Sequence, residues 1–220
     1  MKDRPTQIER GSMEIIGAEL AAQGITLQPK EAPVVLRCIH ASADFDYAKN
    51  LRFSPDAVEK ALEALKDGAH IVTDTNMALA GVSKPGLKIL GGEVHCFMAE
   101  PEIAQIAKAR NCTRAVASMD FAAAHLPEAI YAVGNAPTAL FALAEHLERG
   151  MRPALIVAVP VGFVNVVESK EKIFKLCTHL GVPCIAAMGR KGGSSIAAAV
   201  CNALIYTAAD LLDPAARGWN

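Results

Sequence analysis

The feature that most constrains this chain is a rhythm. From residue 70 onward, short apolar runs of strand type alternate with helical segments. The runs are His70–Thr73, Val94–Met98, Ile130–Val133, Ala154–Val159 and Cys184–Met188. Around them, the spacing predicts helices over Thr75–Ala80, Pro101–Arg110, Arg114–Ala124, Pro137–Arg149, Ser169–Leu180 and Ser194–Ala209. Strands that alternate with helices pair in parallel, because each helix carries the chain back across the sheet. The prediction is a three-layer α/β/α fold with a mainly parallel five-stranded sheet, flavodoxin-like rather than a barrel. Upstream, helices are expected over Thr6–Gln23 and Ala32–His40. A further helix is expected from Ser54-Pro55-Asp56, where cap, proline and first-turn acid stand in order, to Lys66. No repeat or linker interrupts residues 1–220, which read as one domain.

Aromatic residues make up only 5% of the chain, so the core must be built from Ala, Val, Ile and Leu. That usage suits helices packed on a parallel sheet. The net charge of -1 argues against a nucleic-acid or membrane-surface partner. The 6 cysteines are scattered without a Cys-x-x-Cys pair and read as buried free thiols. The amino-terminal stretch lacks the apolar centre of a signal peptide, and no run is long enough to span a bilayer. A soluble cytoplasmic protein is expected.

In open parallel sheets, ligands bind beyond the carboxyl ends of the strands. The segments placed there are the polar and glycine-rich ones: Asp74-Thr75-Asn76, Ala99-Glu100-Pro101, Gly134-Asn135-Ala136-Pro137-Thr138, Pro160-Val161-Gly162-Phe163 and Gly189-Arg190-Lys191-Gly192-Gly193-Ser194. Exposed amides at the helix start after Gly134 suit an anion, and a plain strand-to-helix turn fits the same residues. The segment from Gly189 to Ser194 carries two cations and three glycines, which also suits an anion. Neither the P-loop spacing nor Gly-x-Gly-x-x-Gly is present, so a nucleotide-using enzyme is disfavoured. No Gly-x-Ser-x-Gly elbow marks a serine hydrolase, and no cysteine has an evident base partner.

Of the 6 histidines, five read as helix-end, strand or surface imidazoles, and none shows metal-ligand spacing, so no metal site is expected. His40 differs in setting. It ends an apolar segment and precedes the polar loop Ala41-Ser42-Ala43-Asp44-Phe45-Asp46. A proton donor near neutral pH and an ordinary surface imidazole are both compatible with that position.

Taken in order, several stretches carry a resemblance. They are Ile8-Glu9-Arg10-Gly11-Ser12-Met13-Glu14-Ile15-Ile16, Arg37-Cys38-Ile39-His40, Phe53-Ser54-Pro55-Asp56-Ala57 and Thr73-Asp74-Thr75-Asn76-Met77-Ala78. Further along come Thr113-Arg114, Gly134-Asn135-Ala136-Pro137-Thr138-Ala139-Leu140-Phe141, Pro160-Val161-Gly162-Phe163-Val164, Glu168-Ser169-Lys170-Glu171 and the segment Gly189 to Ser194. This ordered set resembles the precorrin-8X / cobalt-precorrin-8 methylmutase family of cobalamin biosynthesis. The resemblance implies an isomerase that moves a methyl group from C-11 to C-12 of a corrin precursor, and a homodimer. It places the family's histidine on His40 and its amino-terminal substrate-contacting serine on Ser12.

On the same basis, Arg37, Thr75, Arg114, Asn135, Thr138, Arg190, Lys191, Gly192, Gly193 and Ser194 are expected around a macrocycle bearing several carboxylate arms. No cofactor is expected, and cobalt, if present, travels in the substrate. The stretches 43–46, 73–75 and 91–93 look more like the cobalt branch of the family than the metal-free one. Asn165-Val166-Val167 departs from the family's usual Gly-Ala-Ala. A non-catalytic corrinoid carrier on the same fold is the alternative reading, and turnover separates it from the isomerase.

Overall fold

The computed structural model describes residues 5–218. Its first part is helical: α1 (Pro5–Ala22), α2 (Ala32–Ser42) and α3 (Tyr47–Asn50) lead into strand β1 (Leu51–Phe53) and helix α4 (Ala57–Lys66). The alternation then begins with β2 (Ile71–Thr73), α5 (Asn76–Gly81), α6 (Lys84–Ile89) and β3 (Val94–His95). It continues through α7 (Pro101–Ala109), α8 (Arg114–His125), β4 (Ile130–Val133), α9 (Pro137–Glu148) and β5 (Leu155–Ala158). It closes with α10 (Val166–Leu180), β6 (Cys184–Ala187), α11 (Ser194–Ala208) and a short 3-10 helix, Pro214–Arg217.

The sheet order is β1-β6-β5-β4-β2-β3. The five expected strands, β2 to β6, pair in parallel. Counted along the chain, they follow the flavodoxin-like order 2-1-3-4-5. The sheet has six strands rather than five, because β1 pairs antiparallel with β6 at the edge, Leu51 opposite Ala187 and Phe53 opposite Ile185. Leu51-Arg52-Phe53 is three residues long with a charge at its centre, so no apolar run announces it. The expected run Val94–Met98 shrinks to two paired residues for a related reason: it is the other edge strand and stops after His95.

Strand side chains alternate between two cores. Ile71, Ile130, Ala132, Leu155, Val157 and Ile185 face a core closed by α1, α2, α4 and α11. Val72, Tyr131, Val133, Ile156, Ala158 and Ala186 face a second core under α8, α9 and α10. The alanine-rich faces of α9 and α11 let these helices lie close on the sheet. Ala139, Leu140 and Leu143 are buried on one, and Ala197, Val200, Cys201 and Leu204 on the other. No helix of the described residues is long and apolar enough to cross a membrane.

One buried ion cluster ties the amino-terminal helices to the carboxyl-terminal segment. Glu9 Oε1 accepts from Arg37 Nη1 and from Arg217 Nη2, both at 2.8 Å. Both guanidinium groups also lie over the Tyr206 ring. Burial raises the Glu9 carboxyl, but the bonds and charges of Arg217 and Arg37 outweigh it and hold the group below its ordinary 4.5. A depressed carboxylate stabilises the fold above its unfolded pKa, and that contribution is lost as pH falls through the folded value. Glu9→Gln is therefore expected to cost about 3 kcal/mol at pH 7, because two buried cations lose their counter-charge. Denaturant unfolding should show the gap between wild type and variant closing below about pH 4.

Candidate active site

β1 decides where His40 sits. Because β1 runs antiparallel to β6, its amino end lies at the carboxyl end of β6. Asn50, just before β1, accepts the Met188 amide, just after β6, at 2.9 Å. The loop that starts at His40 and feeds β1 is thereby carried to the carboxyl edge of the sheet. His40 lies in the last turn of α2, which closes on Ala43 in the left-handed conformation (φ 54°). Its imidazole is exposed and makes no hydrogen bond among the described residues.

The loop is fastened to the basic glycine segment by one side chain. Lys191 Nζ lies 2.7 Å from Asp44 Oδ2 and 2.5 Å from Asp46 Oδ2. The bond to Lys191 holds the Asp44 carboxyl below its usual range, and both aspartates push the Lys191 ammonium up. The expectation that Lys191 meets a substrate carboxylate is thus corrected in part. Its charge is already engaged by two acids, and its geometry fits it to hold the His40 loop.

The segment 189–194 is itself held from below. Lys170 is fully buried and donates to Gly189 O at 2.9 Å and to Lys191 O at 2.8 Å. Burial pushes its ammonium down to about 8. Gly192 passes so close under β5 that a Cβ would stand 2.1 Å from Val159 O, and at Gly134 one would stand 2.7 Å from Ser194 Cα. These contacts explain the glycines without a ligand: two backbones approach where no side chain fits.

Removing Lys170 strips two carbonyls of their donor. Lys170→Met is expected to cost about 2 kcal/mol near neutral pH. The unfolded chain keeps this proton up to 10.5 while the folded one loses it near 8, so the wild type gains stability from pH 8 to 10.5. Lys170→Met should lack that rise in pH-dependent urea unfolding.

The polar ends of β2, β4 and β6 meet at the same edge. Thr75 Oγ1 and Ser194 Oγ lie 2.7 Å apart. Asp74 is buried, and its carboxylate accepts from the amides of Gly134, Asn135 and Ala136 at 2.9, 2.8 and 2.8 Å. Burial raises this carboxyl above its usual value, against the opposing pull of the three amides. The expectation that these amides receive a substrate carboxylate is corrected, because Asp74 already occupies them. What Asn135 and Thr138 can still offer is side chains. Asn135 is exposed, and Thr138 Oγ1 lies 3.2 Å from Thr113 Oγ1, which caps α8 beside Arg114. Arg190 lies over the Phe163 ring, 5.3 Å from its centroid.

Around this edge stand three outward-facing apolar side chains: Met77, Phe163 and Val164, at 72%, 79% and 78% exposure. Exposed apolar groups beside cations suit a large flat ligand with acidic arms.

Two expected residues have partners within the amino-terminal helices. Arg37, one turn before His40 on α2, has its guanidinium bonded to Glu9. Ser12 is on α1, where its hydroxyl donates to Ile8 O at 2.9 Å. Asp44, Asp46, Asp74 and Lys170 were not singled out from the sequence. An acid directly after a strand and a lysine inside the Glu168–Glu171 stretch were the available signals. Asn165 also finds its reason. It adopts a left-handed φ of 57° before α10, which asparagine tolerates best after glycine.

Fold and edge together define a flavodoxin-like α/β protein with a polar, glycine-lined ligand edge. Comparison with known proteins goes further. The family described as CbiC, precorrin-8X methylmutase, matches residues 7–207. A cobalt-precorrin-8 methylmutase of Leptospira interrogans is 42% identical over 203 residues, covering 90% of this chain and 91% of the relative. A precorrin-8X methylmutase of Pseudomonas aeruginosa is 39% identical, covering 90% and 93%. The crystal structure of precorrin-8x methyl mutase from Thermus thermophilus superposes with a TM-score of 0.82 at 43% identity, covering 92% of this chain and 98% of that one. The chain belongs to the precorrin-8X methylmutase family of isomerases.

Proposed function

We propose that this protein moves the methyl group of cobalt-precorrin-8, or of metal-free precorrin-8X, from C-11 to C-12, and that His40 is the side chain that assists the shift. The observation that carries the reading is the antiparallel β1. It supports placing an exposed imidazole beside the two-aspartate clasp on Lys191, at the same edge as Thr75, Asn135 and Ser194.

The reaction is an isomerisation. The bond from the methyl group to C-11 breaks as its bond to C-12 forms, and no oxidant or acceptor is needed. His40 lends a proton or hydrogen bond to the ring while electron density redistributes, and recovers it when the product conjugation is complete. Arg114 and Arg190 pair with carboxylate arms, while Thr138, Ser194 and the Gly192-Gly193 backbone add hydrogen bonds. Met77, Phe163 and Val164 cover the apolar face of the macrocycle and exclude water. Holding the ring in one geometry supplies much of the acceleration. Cobalt enters as part of the substrate.

The reading includes a homodimer in the cytoplasm. Ile8, Ser12 and Ile15 recur on one face of α1, and the two isoleucines are exposed, which supports cover by a second copy. Incubation with the cobalt and metal-free substrates, followed by absorption spectroscopy, tests the function. Conversion of at least one is expected, and binding of both without conversion would favour the carrier.

A further inference from the structure

At the opposite edge of the sheet, three side chains that lie apart in the sequence come together. His70 precedes β2, and Glu93 and His95 flank Val94 in β3. The parallel register sets Ile71 opposite Val94 and Val72 opposite His95. With a two-residue repeat, His70, Glu93 and His95 then share one face of the sheet, the face that carries Val72. One ligand atom from each lies within 4.8 Å of the others.

We propose that His70, Glu93 and His95 bind a first-row divalent transition-metal ion, zinc by preference. Two imidazole nitrogens and a carboxylate oxygen are the donor set such an ion takes. His95 Nε2 and His70 Nδ1 stand 3.3 Å apart. Two nitrogens bound at about 2.0–2.1 Å to a tetrahedral ion stand about 3.3–3.4 Å apart, so the pair already has the required bite.

The metal-free arrangement satisfies these nitrogens poorly. The Glu93 amide already donates to His70 Nδ1 at 3.2 Å. His95 Nε2 must then either share the same lone pair as a second donor or face it with a lone pair of its own. An ion that takes the Nδ1 lone pair displaces the Glu93 amide from it, and His95 Nε2 changes from a competitor for that lone pair into a second ligand.

The surroundings fix the ligands and leave room for water. Phe97 stacks on the His95 ring, with centroids 5.9 Å apart and planes 6° from parallel, which sets the imidazole's orientation. Gly92 lies so close to β2 that a Cβ there would stand 2.4 Å from Ala69 O, which brings Glu93 up to His70. Glu93 is exposed and the two histidines are half-buried, so solvent reaches the cluster and a water can complete the coordination. Bound there, the ion staples the two-residue edge strand β3 to β2. The site is remote from His40 and plays no part in the methyl shift.

The test uses untagged protein, free Co2+ as a spectroscopic probe and Zn2+ as the competitor. The expected result is one Co2+ per chain with visible d–d absorption that Zn2+ abolishes. Zinc at about a hundred times its Kd should raise Tm by about 5–10 °C. His95→Gln should lose both the spectrum and the shift. Glu93→Gln, an exposed change that leaves the fold intact, should weaken binding about tenfold or more. The proposal is overturned if wild type shows neither spectrum nor shift, or if both variants keep wild-type affinity.

Discussion

His40→Ala is expected to lose turnover while keeping the corrinoid. The imidazole is exposed in the last turn of α2, and the helix is capped by Ala43, so its removal should leave the fold intact. A proton or hydrogen-bond donor contributes roughly 10²- to 10⁴-fold to a step it assists. A loss of that size in kcat, with substrate affinity changed little, is the pattern of an interaction made in the transition state. His40→Gln keeps a hydrogen-bond donor but has no proton to give. Partial activity in Gln over Ala would assign hydrogen bonding to the role, and equal loss in both would assign proton transfer. A rise in KM with unchanged kcat in His40→Ala would instead make His40 a binding group.

The second large effect belongs to Asp74. Its buried carboxylate accepts three backbone amides of the segment 134–136, where a phosphate or substrate carboxylate would sit in other sheets of this topology. Asp74→Ala leaves three donors without an acceptor, at about 1–3 kcal/mol for each that water cannot reach. A loss of about 4 kcal/mol is expected in urea unfolding, together with weaker substrate binding as Asn135 and Thr138 lose their footing. Asp74→Asn keeps one acceptor oxygen but turns an NH2 group toward an amide. It should fall between alanine and wild type. An alanine variant as stable as wild type would show that the segment holds itself.

The parallel sheet was legible because β2, β4, β5 and β6 lie in apolar runs with turn residues at their ends, and the β3 run, Val94–Met98, is interrupted only by His95. The convergence of polar segments at one edge followed from that pattern alone. β1 was not legible, since three residues centred on Arg52 earn their pairing from β6 and not from their own apolarity. That omission mattered most, because β1 is what carries the His40 loop to the edge.

Partners within the chain were hidden for a similar reason. A glycine-rich turn before a helix looks like an anion site whether the anion is a ligand or Asp74. Arg37 looks like a ligand cation until Glu9 and Arg217 are seen beside it. The cluster of His70, Glu93 and His95 depended on strand register, which spacing along the chain does not reveal.

Isomerisation of a corrin precursor through His40 can be followed in a single-turnover experiment with enzyme in excess, read by absorption and by mass together. A methyl shift changes the conjugation of the macrocycle and leaves its mass unchanged. Wild type is expected to give a spectral change at constant mass, and His40→Ala to hold the substrate bound but unaltered. Bound, unaltered substrate with wild type, or full conversion by His40→Ala, would contradict isomerisation through His40.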